Sequence, residues 1–444
     1  MPDDGFVQFN KHIIEYMRGV YVLLLISLFG YAGRVGGQES VTITQCYEWA
    51  RANYPQIHQM GLIDQTERYS LSNVGKAWLP QLSVSGKASY QSDVTKLPLD
   101  GDKISSLLPG FEIPSLSKDQ YQVVAQVDQT IWDGGSARSA RALTRAEATA
   151  NRKQLESELY ALNDRVNQLY FGCLLQDELI RQNALLQKEL QVNIERIEAM
   201  MENGVANQSD LESMEVELLN ARQNEIELRA SRTAYRLMLA TFINKPLTDQ
   251  VVLKTPESPE RSLSTQINRP ELRALDAKSE WIETQNKQVT AGLMPRIGAF
   301  VQGGYGRPGL NMLEDSFEPY YVAGVRLSWN LGKLYTLKND RRKIEVSRRQ
   351  IDVQRETFLF NTRLQLLQQN TEIKKMTDLM RADDDIIRLR TSIKQAAEVK
   401  LENGVISVTD LIREINAEDM ARQTAAAHRV QRLMTIYNYM YTTN

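Results

Sequence analysis

Four stretches of the chain alternate apolar and polar residues strictly, which is the period of a strand with one apolar and one wet face. In residues 81–91, Leu82, Val84, Gly86, Ala88 and Tyr90 share one side, opposite Ser83, Ser85, Lys87, Ser89 and Gln91. In residues 120–132, Tyr121, Val123, Ala125, Val127 and Ile131 oppose Gln120, Gln122, Gln126, Asp128 and Thr130. Ile297, Ala299, Val301, Gly303 and Tyr305 form a third face, and Tyr321, Ala323, Val325, Leu327 and Trp329 a fourth, opposed by Arg326, Ser328 and Asn330. Each segment has roughly the 10–13 residues of a tilted strand crossing a bilayer. Aromatics gather at the ends (Tyr90, Tyr121, Trp132, Tyr305, Tyr320, Tyr321, Trp329), where interfacial girdles lie. The alternative is a pair of ordinary hairpins in a soluble sheet.

Between these stretches the pattern is helical. No proline and one interior glycine, Gly172, occur from Gly135 to Asn203, and neither residue occurs in 334–403. A helix of that length extends about 100 Å, so such helices must pack lengthwise in bundles or coiled coils. In the second stretch Ile344, Ile351 and Phe358 form one seven-residue column, and Val346, Val353, Phe360 and Leu367 another. The columns are about 200° apart around the helix. A two-stranded coiled coil needs one seam, whereas a helix standing in a ring of helices needs two.

The pattern is written twice. Asn53-Tyr-Pro55-Gln-Ile57 recurs as Asn268-Arg-Pro270-Glu-Leu272, and Leu79-Pro80-Gln-Leu82 as Met294-Pro295-Arg-Ile297, with the two prolines 25 positions apart each time. Trp132-Asp-Gly-Gly135 recurs as Trp329-Asn-Leu-Gly332, and Glu202-Asn-Gly-Val205 with Asp210-Leu211 as Glu402-Asn-Gly-Val405 with Asp410-Leu411. The repeat is too long for a solenoid unit. It divides the chain into a first repeat at 38–243, a linker at 244–266 holding Pro246, Pro256 and Pro259, and a second repeat at 267–444. Residues 1–37 have the layout of an export signal: Arg18, the apolar run Val20–Phe29, then small residues, with Met17 as a possible true start.

Lipid-exposed backbone must be hydrogen-bonded, so a membrane sheet has to close. The smallest such barrels have about eight strands, twice what this chain supplies. Several chains must therefore complete one barrel.

Composition removes other classes. Lys+Arg total 53 against 55 Asp+Glu, a net charge of −2, so no global charge draws the chain to nucleic acid. Cys46 and Cys173 are too few for a disulfide framework or a cysteine-rich metal site. His12, His58 and His428 are scattered, without spacing for metal or acid–base chemistry, so no catalytic residue, metal or cofactor is expected. Gly304-Tyr-Gly306-Arg-Pro-Gly309 has nucleotide-loop spacing, but Pro308 and the residues after it point to a surface loop rather than an opening helix. The runs Arg341-Arg342-Lys343 and Asp383-Asp384-Asp385 read as solvated helix faces or inter-helix contacts.

With these segments in this order the sequence resembles the TolC-like outer-membrane efflux family. Ile131-Trp132-Asp133-Gly134-Gly135 resembles its strand-to-helix motif, and the Gly204-Val205 and Gly404-Val405 turns, each followed by Asp-Leu, resemble its paired hairpin tips. The resemblance implies a mainly α, internally duplicated fold with long helical hairpins. Its homotrimer would have a 12-stranded outer-membrane barrel, four strands from each chain, and a 12-helix periplasmic tunnel. It implies the exit duct of a tripartite efflux pump, or a type I secretion duct, in the outer membrane with a long periplasmic extension. Its partners would be outer-membrane lipid, a periplasmic adaptor and an inner-membrane transporter. The docking tips would be Gly204, Val205, Gly404, Val405 and Ile406, with Val408 a further apolar residue at the turn. Asn207 and Ser407, with Asp210 and Asp410 three positions on, suit capping boxes, and Gly204 and Gly404 suit left-handed helix ends. In the family two acidic residues one turn apart narrow the closed entrance. Asp410 matches the first, but the second falls on Arg413, which leaves a gate, a latch or a plain ion pair open. A structural coiled-coil protein of the envelope would leave the strands unused, and a receptor or adhesin would bind through the loop Asp93–Asp119.

Overall fold

The computed structural model describes residues 40–95, 116–258, 265–312 and 314–444; the export segment 1–37 and most of the loop Asp93–Asp119 fall outside them. In chain order the elements are β1 (Ser40–Val41), α1 (Ile43–Asn53), α2 (Gln59–Lys76), β2 (Gln81–Tyr90), β3 (Asp119–Trp132), α3 (Ser136–Tyr160), α4 (Leu162–Glu202) and α5 (Gln208–Ile243). There follow β4 (Val252–Leu253), α6 (Pro270–Ala291), β5 (Arg296–Arg307), β6 (Glu318–Ser328), α7 (Lys333–Glu402) and α8 (Val408–Thr443). No helix among the described residues is long and apolar enough to cross a membrane.

The four alternating segments form one antiparallel sheet in the order β2-β3-β5-β6. Their registers place all four apolar faces on the same side. Leu82 pairs with Val127, Val127 with Val301 and Val301 with Ala323; Val84, Ala125, Gly303 and Tyr321 form the next row. That side is bare in the chain, with Leu82, Val84, Tyr321 and Val325 each about 70% exposed or more. A sheet buried in a soluble core would cover these residues; here they stand outward as a continuous apolar surface. Some residues depart from the pattern, Val124 and Val322 on the polar side among them. Gln129 sits on the apolar side, opposite Ala299, with its amide donating to the Trp78 carbonyl. Phe300 sits on the polar side, covered by the Arg326 guanidinium 4.8 Å from its ring centre.

Two compact units divide the chain, and each takes segments from both sequence repeats. One contains the sheet, α2, α3, α6 and the first part of α7. Here Ile344 and Ile351 of α7 are buried with Ile282 of α6, against Leu275, Trp281 and Val289. This is the first of the two columns. The second, Val346, Val353, Phe360 and Leu367, is exposed along its whole length.

The other unit contains β1, α1, α4, α5, the later part of α7 and most of α8. Its first core holds Cys46, Val166, Tyr170, Phe171, Cys173, Leu239 and Ile243. Burial pushes both thiols up to about 12, and both cysteines are free. The segment read as a bare linker enters this core: Val252–Leu253 pairs in parallel with Ser40–Val41, and the Tyr170 hydroxyl reaches the carbonyls of Val41 and Lys254 at 2.8 and 2.7 Å. A second core joins α4, α5, α7 and α8 through Leu190, Ile197, Met214, Leu401, Leu411 and Ile415.

One helix expectation is corrected. The stretch 135–203 is two helices, interrupted at Ala161, whereas α7 runs unbroken for 70 residues, about 105 Å. Neither proline nor glycine breaks the first stretch. Its buried residues change partners there, from the unit of Leu155 and Leu159 to that of Val166 and Tyr170.

Candidate functional site

Two places carry the sequence-predicted site residues: the turns that close the helical hairpins, and the junction after β3. The α4–α5 and α7–α8 turns have the same backbone. Gly204 and Gly404 adopt φ of 71° and 69°, and a Cβ at either would meet nothing, so glycine is required there by conformation and not by space. The Val205 amide donates to the Met200 carbonyl and the Val405 amide to the Lys400 carbonyl, both at 2.9 Å. Asn207 and Ser407 then restart the helices: each side chain accepts from the amide three residues on, while Asp210 and Asp410 accept from the amides of Asn207 and Ser407.

The apolar residues of the turns divide in two. Val205 and Val405 point outward, 57% and 68% exposed. Ile406, grouped with them from the sequence, is only half-exposed and packs on the core below, and Val408 is 2% exposed inside it. These two anchor the turn rather than offer a surface. Asp410 is equally occupied. Its carboxylate accepts from the Ser407 hydroxyl at 2.7 Å and lies 3.4 Å from the Arg413 guanidinium. The Ser407 hydroxyl and amide, then Arg413, hold it below the usual carboxylate range. The pair lies within one helical turn, and in the single chain it is a contact at the start of α8.

The same unit contains an ionic cluster that the sequence does not announce. Glu418, with a side chain 2% exposed, receives Lys394 at 2.6 Å and both Thr391 and Arg422 at 2.5 Å; Lys394 also reaches Glu189 at 2.5 Å. Burial pushes the Glu418 carboxyl up, and the bonds from Lys394, Thr391 and Arg422 more than reverse it. Beside it, burial pushes Asp419 up to about 6, against a 2.6 Å bond from Gln423 and with Glu189 and Glu418 adding repulsion. A raised carboxylate contributes stability at low pH that is lost as pH rises from the unfolded value, near 4, through about 6. Asp419→Asn is therefore expected to raise thermal stability above pH 6 and to flatten its dependence between pH 4 and 6. Calorimetric melting of both proteins across that range checks this; parallel pH curves would refute it. Farther along, His428 Nδ1 lies 2.8 Å from the buried carboxylate of Asp383. One residue of the acidic run is thus an inter-helix contact, and the histidine has a partner 45 residues away that spacing cannot reveal.

In the sheet-bearing unit, Trp132 ends β3 after a register shift at Thr130, and Asp133, Gly134 and Gly135 turn the chain into α3. The Asp133 carboxylate accepts from the amides of Gly135 and Ala137 at 2.8 and 2.6 Å, closing the start of the helix. Gly134 has φ 66°, and a Cβ there would lie 2.5 Å from Met294 Cβ. The second repeat's Trp329-Asn-Leu-Gly332 makes its turn without a positive φ; instead Trp329 Nε1 donates to the Leu293 carbonyl at 3.0 Å. Gly304–Gly309 runs out of β5 into a loop with no helix opening behind it, which removes the phosphate-loop reading.

Residues 46–245 match the model of the outer membrane efflux protein family. Residues 46–245 thus carry the pattern of an outer membrane efflux protein, as the resemblance of the hairpin turns and the strand-to-helix motif implies. Solved channels share the fold across both halves. The outer-membrane channel OprN is similar with a TM-score of 0.64 at 14% identity, over 90% of this chain and 89% of that one. CusC, described with its transmembrane channel formation, is similar at 0.63 and 13%, over 90% and 92%. The open MtrE outer-membrane channel of Neisseria gonorrhoeae is similar at 0.60 and 14%, over 90% and 88%. No curated protein matches the sequence. The matched family is one of outer-membrane efflux proteins, and the solved structures that share this chain's fold are outer-membrane channels.

Proposed function

We propose that three copies of this chain form the exit duct of a tripartite efflux pump, closing one 12-stranded barrel from the four strands of each chain. The observation that carries the reading is the sheet: one side is continuously apolar and bare, and the end strands β2 and β6 each have one unpaired edge among the described residues. In lipid such edges must be hydrogen-bonded, and neighbouring copies supply the partners. The exposed column Val346–Leu367 on α7 supports the same assembly, since it is the second seam a ring of helices requires. An internal duplication accounts for two strand pairs and two hairpins with matching turns. A coiled-coil scaffold would leave the apolar sheet without a use.

In this reading Val205 and Val405 contact the periplasmic adaptor, which links the duct to the inner-membrane transporter, and three copies of Asp410 form an acidic ring at the closed entrance. The test is a purified protein in detergent and in planar bilayers. A three-chain mass and conductance are expected, and a stable folded monomer would overturn the model. Val405→Glu is expected to abolish export while leaving trimer and conductance intact, because a charge would enter an apolar contact. Asp410→Ala is expected to raise resting leak and weaken block by multivalent cations. Wild-type behaviour of both variants would reduce the turns to caps.

A further inference from the structure

The junction after β3 opens on a cavity of about 1060 Å³ within the sheet-bearing unit. Arg138, Arg141 and Arg145 of α3 line it, at a spacing that puts them on one side of the helix. Lys287 of α6 faces them across the cavity, and Trp78 and Met294, both partly exposed, form an apolar wall. All four cations are exposed, and among the described residues none has a carboxylate within ion-pair distance. Other arginines of the same chain are paired, as Arg152 is with Asp64 and Arg232 with Asp177 and Asp249. The one carboxylate in the wall, Asp133, is spent on the amides of Gly135 and Ala137.

The direction in which the cavity opens follows from the helix. Ser136 and Ala140 border a different cavity, lined by the sheet residues Asp128, Gln129, Ala299, Phe300 and Arg326. Arg138 is two residues from each of them, about 200° around α3. The arginines therefore lie on the face of α3 turned away from that cavity. They begin three residues beyond Gly135, immediately past Trp132, where the apolar strand ends. A cluster of unpaired cations beside a tryptophan, at the end of a lipid-facing strand, is complementary to a phosphate layer.

We propose that this cavity holds the phosphodiester headgroup of an anionic phospholipid from the periplasmic leaflet of the outer membrane, with Arg138, Arg141, Arg145 and Lys287 on the phosphate and Trp78 and Met294 against the upper acyl chain. The assignment rests on the sheet being the membrane-spanning part of the duct. Its occupant is a lipid and not a soluble phosphate because the lining also holds Trp78 and Met294, which lie just before the starts of β2 and β5.

The test measures lipid retention by the full chain, purified from membranes, in native mass spectrometry with added phosphatidylglycerol, phosphatidylcholine or glycerol phosphate. Phosphatidylglycerol is expected to be retained on the order of tenfold more strongly than phosphatidylcholine, and glycerol phosphate not to displace it. Arg138→Gln/Arg141→Gln/Arg145→Gln should remove that preference. The charge-retaining Lys triple should keep most of it, and Arg341→Gln/Arg342→Gln/Lys343→Gln, an equal charge loss outside the cavity, should not change it. An unchanged preference in the Gln triple, or displacement by glycerol phosphate, would overturn the site. Fractionation separates this from failure of the membrane reading: wild-type protein missing from outer membranes sinks the duct itself, whereas wild-type protein present there with an insensitive Gln triple sinks only the lipid site.

Discussion

Val84→Arg and Val127→Arg are expected to deplete the protein from the outer membrane, while Ser85→Arg leaves its level near wild type. Val84 pairs with Ala125 and Val127 with Leu82 and Val301, in the middle of the exposed apolar face. A guanidinium there must enter hydrocarbon, at a cost of roughly 2–4 kcal/mol near the midplane of a barrel and less toward its rims. In a trimer each substitution appears three times. Ser85 is one residue away and on the opposite face, opposite Val124, where an arginine reaches water. Because the variants differ only in which side of one sheet receives the charge, a general loss of expression would lower all three alike. Quantified outer-membrane fractions decide it; equal levels would show that the lipid-facing side has been misassigned.

Lys394→Ala is expected to destabilise the hairpin-bearing unit by about 3 kcal/mol, the lower end of the range for breaking a buried ion pair. Glu418 is sealed from water and would lose its shortest cationic partner on α7, keeping Arg422 from its own helix. The lower end applies because Lys394 itself retains some exposure, with a side chain 13% exposed. The double variant Lys394→Met/Glu418→Gln should recover much of the loss, since it removes the orphaned charge together with its partner. Thermal unfolding of the solubilised protein measures both. A single-variant loss below about 1 kcal/mol, or a double variant no better than the single, would mean that the cluster is solvated.

The four-stranded sheet was legible because one physical rule governs it. Alternation over residues 81–91 and 120–132 located β2 and β3 to within a residue at each end, and the registers joined faces already apparent in the sequence. The turns were legible too, since Gly404, Ser407 and Asp410 act on residues within one helical turn of themselves. What the sequence hid is long-range. Glu418 finds Lys394 and Glu189 across helices, Asp383 finds His428, and Val252 joins Ser40, and no periodicity marks such pairs. Ile406 and Val408 were misjudged for a related reason: an apolar residue beside an exposed turn is ambiguous until its rotation about the new helix is known. The cationic junction was missed because Arg138, Arg141 and Arg145 look like any solvated helix face until the absence of carboxylates around them is seen.

The open edges of β2 and β6 make the folded chain a monomer in the polymer chemist's sense. Its two reactive ends differ, so addition is head to tail, and such growth stops only when the last edge meets the first. Nothing in β2 blocks its edge; β6 carries Pro319 near one end, which removes a single donor. In the proposed duct, ring closure rather than any cap in the sequence would be the chain terminator, and the curvature of one four-stranded segment would set the degree of polymerisation. A variant that flattens the sheet would change the number of subunits or give open ribbons before it unfolded any one of them.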